Sequence, residues 1–315
     1  MAKPKVLFID TVHPLIGQEL ESMGFQCDYF ENYLLPDYER IIHDYEGIII
    51  RGKIRLDEKL LSKAQKLKFI ARIGAGMENI DLEFAEKNGI TCLNAPEGNR
   101  DAVGEHAVGM LLMLLNHLRR ADQEVRRGVW IREGNRGVEI QGKTVGIIGY
   151  GNMGSAFAQR LAGFDATVLA YDKYKFGYSS RFVRESTLEE LMELADILSL
   201  HVPLTDETIW MVDDDFISKF RKPIWLINTS RGKVVRTASL VSALKTGKIL
   251  GAALDVLEYE KLSFEDIDRA NLPEDFKYLI QSDQVVLSPH IAGWTYESNE
   301  KMAKVIIDKI RKLYH

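Results

Sequence analysis

Several apolar runs in the second half of the chain stop on residues able to do chemistry. "LINTSRG" ends in Thr229-Ser230-Arg231-Gly232, "AALDV" ends in Asp255 with Glu260 just beyond it, and "VVLSPH" ends in His290. A histidine titrates near neutrality, so His290 can give a proton as imidazolium or take one as the neutral ring. A carboxylate beside it raises its pKa and orients it. Glu260 is the candidate for that role, and Glu258 is a rival. Arginine presents forked donors that match a carboxylate, so Arg231 can hold an organic acid and polarise a carbonyl beside it. This combination suits proton transfer on a small organic acid.

A second pattern provides for a dinucleotide. "VGIIGYGNMG" carries Gly149, Gly151 and Gly154 in G-x-G-x-x-G spacing, after the apolar run Thr144 to Ile148 and before the helix-like "SAFAQRLAGF". Gly149 allows the tight turn, Gly151 lets the backbone approach a pyrophosphate, and Gly154 lets helix and strand pack closely. Amides at the helix start bind the phosphates. The next strand, "TVLAYD", ends in Asp172, which can accept bonds from the adenosine ribose hydroxyls and repel a 2′-phosphate. That favours NAD over NADP, and Lys173 beside it weakens the exclusion.

Elements of two periods must position these residues. "KVLFID", "QCDYF", "GIIIR", "KFIARIG" and "ITCLNA" read as short strands, separated by helix-like stretches such as "HPLIGQELESMG". Next, "EGNRDAVGEHAVGMLLMLLNHLRRADQEVRRG" reads as one long helical linker without a strand. The alternation then restarts through "TVGIIGYGNMG", "TVLAYD", "DILSLHVP", "IWLINTSRG", "LGAALDV" and "VVLSPHIAG". The last helix, "SNEKMAKVIIDKIRKLY", places Met302, Ile306, Ile310 and Leu313 on one face, with the first domain as its natural partner. The expected fold is α/β: two doubly wound parallel-sheet domains, a flavodoxin-like one over 1–98 plus 291–315 and a Rossmann NAD-binding one over 99–290, with a ligand cleft between. Strand carboxyl ends face the ligand in such sheets, so Arg231, Asp255, Glu260 and His290 are expected at one site.

Bulk properties exclude other classes. The 315 residues are ample for two domains, and a net charge of −5 with no basic domain argues against nucleic acid as partner. "AVGMLLMLLNHL" is too short to span a bilayer, which needs about 20 residues. Cys27 and Cys92 show no metal-like spacing, no metal is expected, and two separated thiols fit a reducing, cytoplasmic setting.

"RIGAGMENIDL", "NAPEGNRDAVGEHAVGMLL", "GYGNMG", "HVPLTDET", "NTSRG", "GAALDV" and "SPHIAG" together resemble the D-2-hydroxyacid dehydrogenase family, and within it the short-form phosphoglycerate dehydrogenases. The resemblance implies a catalytic trio of Arg231, Glu260 and His290. It implies cofactor contacts from Asn152 and Met153 at the pyrophosphate and from His201, Val202, Pro203 and Thr208 along the groove. It also implies contacts from Thr229, Ser230, Asp255, Ala292 and Gly293 at the nicotinamide, and a homodimer through the cofactor domain. Lys261 stands where the family has proline after the glutamate. "IIIRGKIRL" resembles the family's phosphate-binding element, with Arg51 and Lys53 as contacts, although Gly52 and Ile54 replace its hydroxyl residues. Arg72 and Arg100 are further possible anion contacts. Backbone amides of Gly74, Ala75, Gly76 and Met77 can form an anion nest for a substrate carboxylate. The expected reaction is NAD-dependent oxidation of 3-phospho-D-glycerate to 3-phosphohydroxypyruvate in serine synthesis. The alternatives are reduction of glyoxylate, hydroxypyruvate or another 2-keto acid, and, in a different class, non-catalytic NAD(H) sensing. No appended regulatory domain is expected.

Overall fold

The computed structural model describes residues 3–260 and 272–314; the Lys261 departure noted above lies outside them. The described chain divides into two compact units, 3–100 with 294–314 and 101–260 with 272–293. The sequence reading set these boundaries at 98/99 and 290/291.

The first unit holds five parallel strands: β1 (Lys5–Phe8), β2 (Gln26–Tyr29), β3 (Gly47–Ile50), β4 (Phe69–Arg72) and β5 (Thr91–Leu93), in the order β2-β1-β3-β4-β5. That is the flavodoxin-like order. The central strand β3, "GIII", is buried along its whole length, as a sheet covered by helices on both faces requires. One face packs Leu7, Ile48, Ile50 and Ile70 against Tyr38, Leu60 and Ala85. The other packs Val6, Phe8, Ile49 and Phe69 against Ile16 and Leu20 and against Met302, Ile306 and Ile310 of the final helix, Tyr296–Tyr314. Leu313, expected on the same stripe, is 42% exposed. Tyr314 takes the edge of that core instead, its ring 5.1 Å from Phe25.

The second unit holds seven parallel strands: β6 (Thr144–Ile148), β7 (Thr167–Tyr171), β8 (Arg184–Glu185), β9 (Ile197–Leu200), β10 (Ile224–Asn228), β11 (Ile249–Leu254) and β12 (Val285–Leu287). Their order is β12-β11-β10-β9-β6-β7-β8. The chain starts in the middle at β6, runs outward to β8, then returns to β9 on the other side of β6. This doubly wound pattern has its switch point between β6 and β9, where ligands bind outside the strand ends.

The long linker pattern is not one helix. It forms Pro96–Leu115 and Leu118–Arg126, broken where His117 adopts φ 52°. The later chain crosses at the break. Val138 N donates to Leu115 O at 3.0 Å, and any side chain at Gly137 would strike Leu115 and Asn116. The competing bond is long-range, so local periodicity does not reveal it.

Candidate functional site

The dinucleotide loop follows β6. Gly149 has φ 90°, and a Cβ there would lie 2.5 Å from the carbonyl oxygen of His201, while one at Gly154 would lie 2.1 Å from the carbonyl oxygen of Gly149. Both glycines are therefore required by packing. Gly151 differs, since a Cβ there would meet nothing within 4 Å. It opens the helix Asn152–Arg160 without a side-chain cap, so the amides of Asn152, Met153 and Gly154 lie at the positive end of a helix beside open space. The space a Cβ would fill is the space a pyrophosphate needs.

Asp172 closes the same loop. Its Oδ2 accepts from Tyr150 N at 2.8 Å, and its Oδ1 accepts from Tyr174 N and Lys175 N at 2.9 and 3.1 Å. Lys173, beside it, pairs with Glu207 at 2.7 Å.

His201-Val202-Pro203 follows β9. The His201 ring is buried, with Nε2 2.8 Å from Ser199 Oγ and the ring 5.5 Å from Phe157. Burial pulls its pKa down to about 3, so the ring is neutral. The His201 carbonyl faces the Gly149 turn, while its imidazole turns inward toward Ser199 and Phe157. Thr208 Oγ1 donates to Pro203 O at 2.7 Å and accepts from Thr205 N at 2.8 Å, bracing its own loop. Thr229 Oγ1 and His201 Nδ1 are buried without a hydrogen-bond partner among the described residues. A buried donor left this way is costly, and a bound group that satisfies it removes the cost.

Asn228, buried at the end of β10, shapes the next turn. Its Oδ1 accepts from Ser230 N and Ser230 Oγ at 3.0 and 2.7 Å, and its Nδ2 donates to Arg231 O at 3.0 Å. Arg231 Nη1 donates to Ser230 O at 2.6 Å. A Cβ on Gly232 would overlap Leu257 O at 1.9 Å, so this glycine lets the Arg231 turn lie directly on the segment leading to Glu260.

Two glutamates competed for the histidine, and the geometry separates them. Glu260 Oε2 lies 2.7 Å from His290 Nδ1. Its other oxygen accepts from Leu257 N. Glu258 is engaged elsewhere, accepting from Trp210 Nε1 at 2.7 Å and from Thr237 N at 2.9 Å. A carboxylate beside Nδ1 favours the tautomer that carries its proton there, an assignment that follows from the hydrogen-bonding pattern.

His290 follows β12 with φ 55°, a backbone region unfavourable to a residue with a side chain. Asp255, at the end of β11, holds it there. His290 N donates to Asp255 O at 2.7 Å, Ile291 N to Oδ1 at 2.9 Å and Ala292 N to Oδ2 at 2.9 Å. Asp255 is 1% exposed. Burial alone would push its carboxyl up, but bonds from His106, Ser288 and these amides outweigh that and hold it below the usual carboxylate range. Sequence reasoning gave Asp255 a nicotinamide contact, while its described partners are the backbone and side chains of the turn. It missed Asn228, Ser288 and His106; a polar residue at or next to a strand end was the signal for the first two, and His106, inside a helix, carried none.

In the first unit, Gly74 O accepts from Ala95 N at 2.8 Å and Ala75 O accepts from Asn94 Nδ2 at 2.7 Å, which fixes the Gly74–Gly76 loop. The Arg51 guanidinium stacks 3.9 Å from the Trp294 ring centroid, and Arg72 Nε donates to Arg51 O at 2.9 Å. Lys53 is engaged within the first unit. Its ammonium donates to Glu31 O, Tyr33 O and Tyr38 Oη, which accounts for its three protons. The amides of Arg51, Gly52 and Lys53 all point to Asp10 Oδ2, at 2.6, 3.1 and 3.4 Å. An internal carboxylate thus fills that amide nest.

A family model described as "D-isomer specific 2-hydroxyacid dehydrogenase, NAD binding domain" matches residues 108–292. The chain belongs to the D-isomer specific 2-hydroxyacid dehydrogenase family. It is 35% identical to the D-3-phosphoglycerate dehydrogenase of Bacillus subtilis, over 94% of this chain and 56% of that one. It is 33% identical to the glyoxylate reductase of Pyrococcus furiosus, over 96% of this chain and 90% of that one. Among solved structures, the Aquifex aeolicus D-lactate dehydrogenase complexed with NAD and lactic acid superposes with TM-score 0.84 and 30% identity, over 98% and 95% of the two chains. This family member spans about half the length of the phosphoglycerate dehydrogenases it matches. Among its described residues no group of three or more His, Cys, Asp or Glu is placed to hold a metal ion, and no helix is long and apolar enough to cross a membrane.

Proposed function

We propose that this chain is an NAD-dependent 2-hydroxyacid dehydrogenase in which His290 exchanges the substrate's hydroxyl proton. The observation that carries this reading is the 2.7 Å contact of His290 Nδ1 with Glu260 Oε2, on a turn pinned by the buried Asp255. NAD, when bound, accepts or supplies the hydride at the carbon bearing that hydroxyl. In the oxidising direction neutral His290 takes the hydroxyl proton at Nε2, and Glu260 stabilises the imidazolium that results. Arg231 binds the substrate carboxylate through its guanidinium fork. The Gly149–Gly154 loop and the helix amides after it would hold the pyrophosphate, Asp172 the adenosine ribose, and the unsatisfied Thr229 hydroxyl a polar group of the cofactor. Asp172 disfavours a 2′-phosphate, and Lys173, which could offset it, is neutralised by Glu207.

For the substrate we propose 3-phospho-D-glycerate. Its phosphate needs cationic contacts, and Arg51 and Arg72, joined through Arg72 Nε to Arg51 O, are the candidates on the first unit. The relatives named phosphoglycerate dehydrogenase support this reading. A second reading, reduction of an unphosphorylated 2-keto acid, is favoured by the amide nest that Asp10 already fills. We further propose a homodimer, on the exposed apolar run Val125, Val129, Trp130 and Ile131, and a cytoplasmic setting, on the free thiols Cys27 and Cys92.

NADH absorbance should be followed with phosphohydroxypyruvate, hydroxypyruvate, glyoxylate, pyruvate and 2-oxoglutarate. We expect phosphohydroxypyruvate to give the highest kcat/KM. Preference for an unphosphorylated acid would transfer the assignment to the second reading. NADH binding without turnover of any acid would favour a sensor.

A further inference from the structure

Behind the turn that carries His290 lies a polar chain that the acid–base reading leaves unused. His106, on the helix Pro96–Leu115, places Nε2 3.0 Å from Ser288 Oγ and 3.4 Å from Asp255 Oδ1. Ser288 Oγ lies 2.6 Å from the same Asp255 oxygen. Counting protons orders this chain. An ionised carboxylate only accepts, and a serine hydroxyl has one proton to give. The Ser288 proton therefore goes to Asp255; Met110 Sδ, at 3.6 Å, is a weak acceptor and does not compete. His106 Nε2 must then be the donor to Ser288 Oγ, with Asp255 Oδ1 as its second acceptor.

The far end of the chain is the backbone of the catalytic turn. The Asp255 carboxylate takes the amides of Ile291 and Ala292, one on each oxygen, while the Asp255 carbonyl takes that of His290. A non-glycine residue at φ 55° persists only where its surroundings over-determine it. The carboxylate plane fixes the next two amides, and so the direction in which the His290 ring leaves the strand. Rotation of that plane is resisted on the helix side by Ser288 and His106.

We propose that His106 is a positioning residue for His290, acting through Ser288 and Asp255: its Nε2–H locks the carboxylate that pins the left-handed turn. The proposal rests on the acid–base reading of His290 above.

Three variants test it. H106L removes the donor, H106Q keeps an N–H close to the position of Nε2, and S288A cuts the chain in its middle. H106L and S288A should each lower kcat on the order of tenfold, with KM for the keto acid changed less than about twofold, as expected when a reacting group is displaced rather than removed. Hydrogen exchange of the His290, Ile291 and Ala292 amides in the cofactor-free protein should rise about tenfold in both. H106Q should keep kcat within about threefold of the parent and retain its slow exchange. Parental kcat and exchange in H106L would overturn the proposal, as would an H106Q protein as impaired as H106L, since the ring would then serve only as packing. If H106L does not fold, S288A decides by the same two readouts. If the parent protein turns over no keto acid, the dehydrogenase reading fails, and exchange at His290–Ala292 still decides the positioning role.

Discussion

His290 and the two glutamates make separable claims at the scale of single side chains. Replacing His290 with Gln should lower kcat by about 10² or more while leaving NADH affinity within about twofold, because a general acid–base group is lost and the dinucleotide loop is untouched. Retained activity would remove His290 from the proton path. The glutamates sharpen the test. E260Q should lower kcat, whereas E258Q should leave kcat and cost about 1 kcal/mol of stability through its bonds to Trp210 and Thr237. Equal effects on kcat would merge the two roles. Arg231 and His290 were legible as candidates because each ends a β-branched run, and strand ends point at ligands. The choice between Glu258 and Glu260 was not legible. It depends on where Trp210 lies, a residue remote in sequence, and no local spacing carries that. The surroundings of Lys53 were not legible for a related reason: its sequence context showed a basic loop, but not the two carbonyls and the tyrosine hydroxyl that take its protons.

Strand ends and the turns that follow them carry the next predictions. The three loop glycines should fail in different ways. Gly154→Ala drives a Cβ into the Gly149 carbonyl, so it should destabilise the fold by about 1–3 kcal/mol. Gly151→Val enters open space. It should leave the melting temperature nearly unchanged and weaken NADH binding at least about tenfold, the loss expected when a side chain occupies a phosphate cradle. A Gly151→Val protein that binds NADH normally would move the pyrophosphate away from this loop. His201, at the end of β9, predicts an acid sensitivity. Its folded pKa is about 3, against an ordinary value of 6.5. Between those values only the unfolded chain holds the proton, so this contribution to stability is complete above pH 6.5 and declines as pH falls toward 3. Thermal melts of H201N should show a flatter loss below pH 6.5; an unchanged acid slope would place the sensitivity elsewhere. The strands and the G-x-G-x-x-G turn could be read in advance because short β-branched apolar runs and glycine spacing are local. The break at His117 could not, because the bond that replaces the helix comes from Val138.

At the scale of the whole molecule, an apolar stretch after the helix Leu118–Arg126 faces solvent. Trp130 is 79% exposed and has Val129 and Ile131 beside it, more apolar surface than a stretch left in water usually shows. If this stretch is the subunit interface, Trp130→Ser with Ile131→Ser should convert a dimer to a monomer in sedimentation equilibrium at micromolar concentration. An unchanged mass would place the interface elsewhere. The restart of the β–α alternation was the legible sign of a second parallel sheet, whereas the exact limits between units depend on packing that no local run carries.

The first unit is built from both ends of the chain. Val6, Phe8, Ile16 and Leu20 share a core with Met302, Ile306 and Ile310. On the ribosome, the residues that open this core are made well before those that close it. The second unit lies in sequence between them and can bury its own apolar faces well before that. During synthesis the amino-terminal strands therefore wait with one face uncovered. The final helix then acts as the late step that ends the vulnerability.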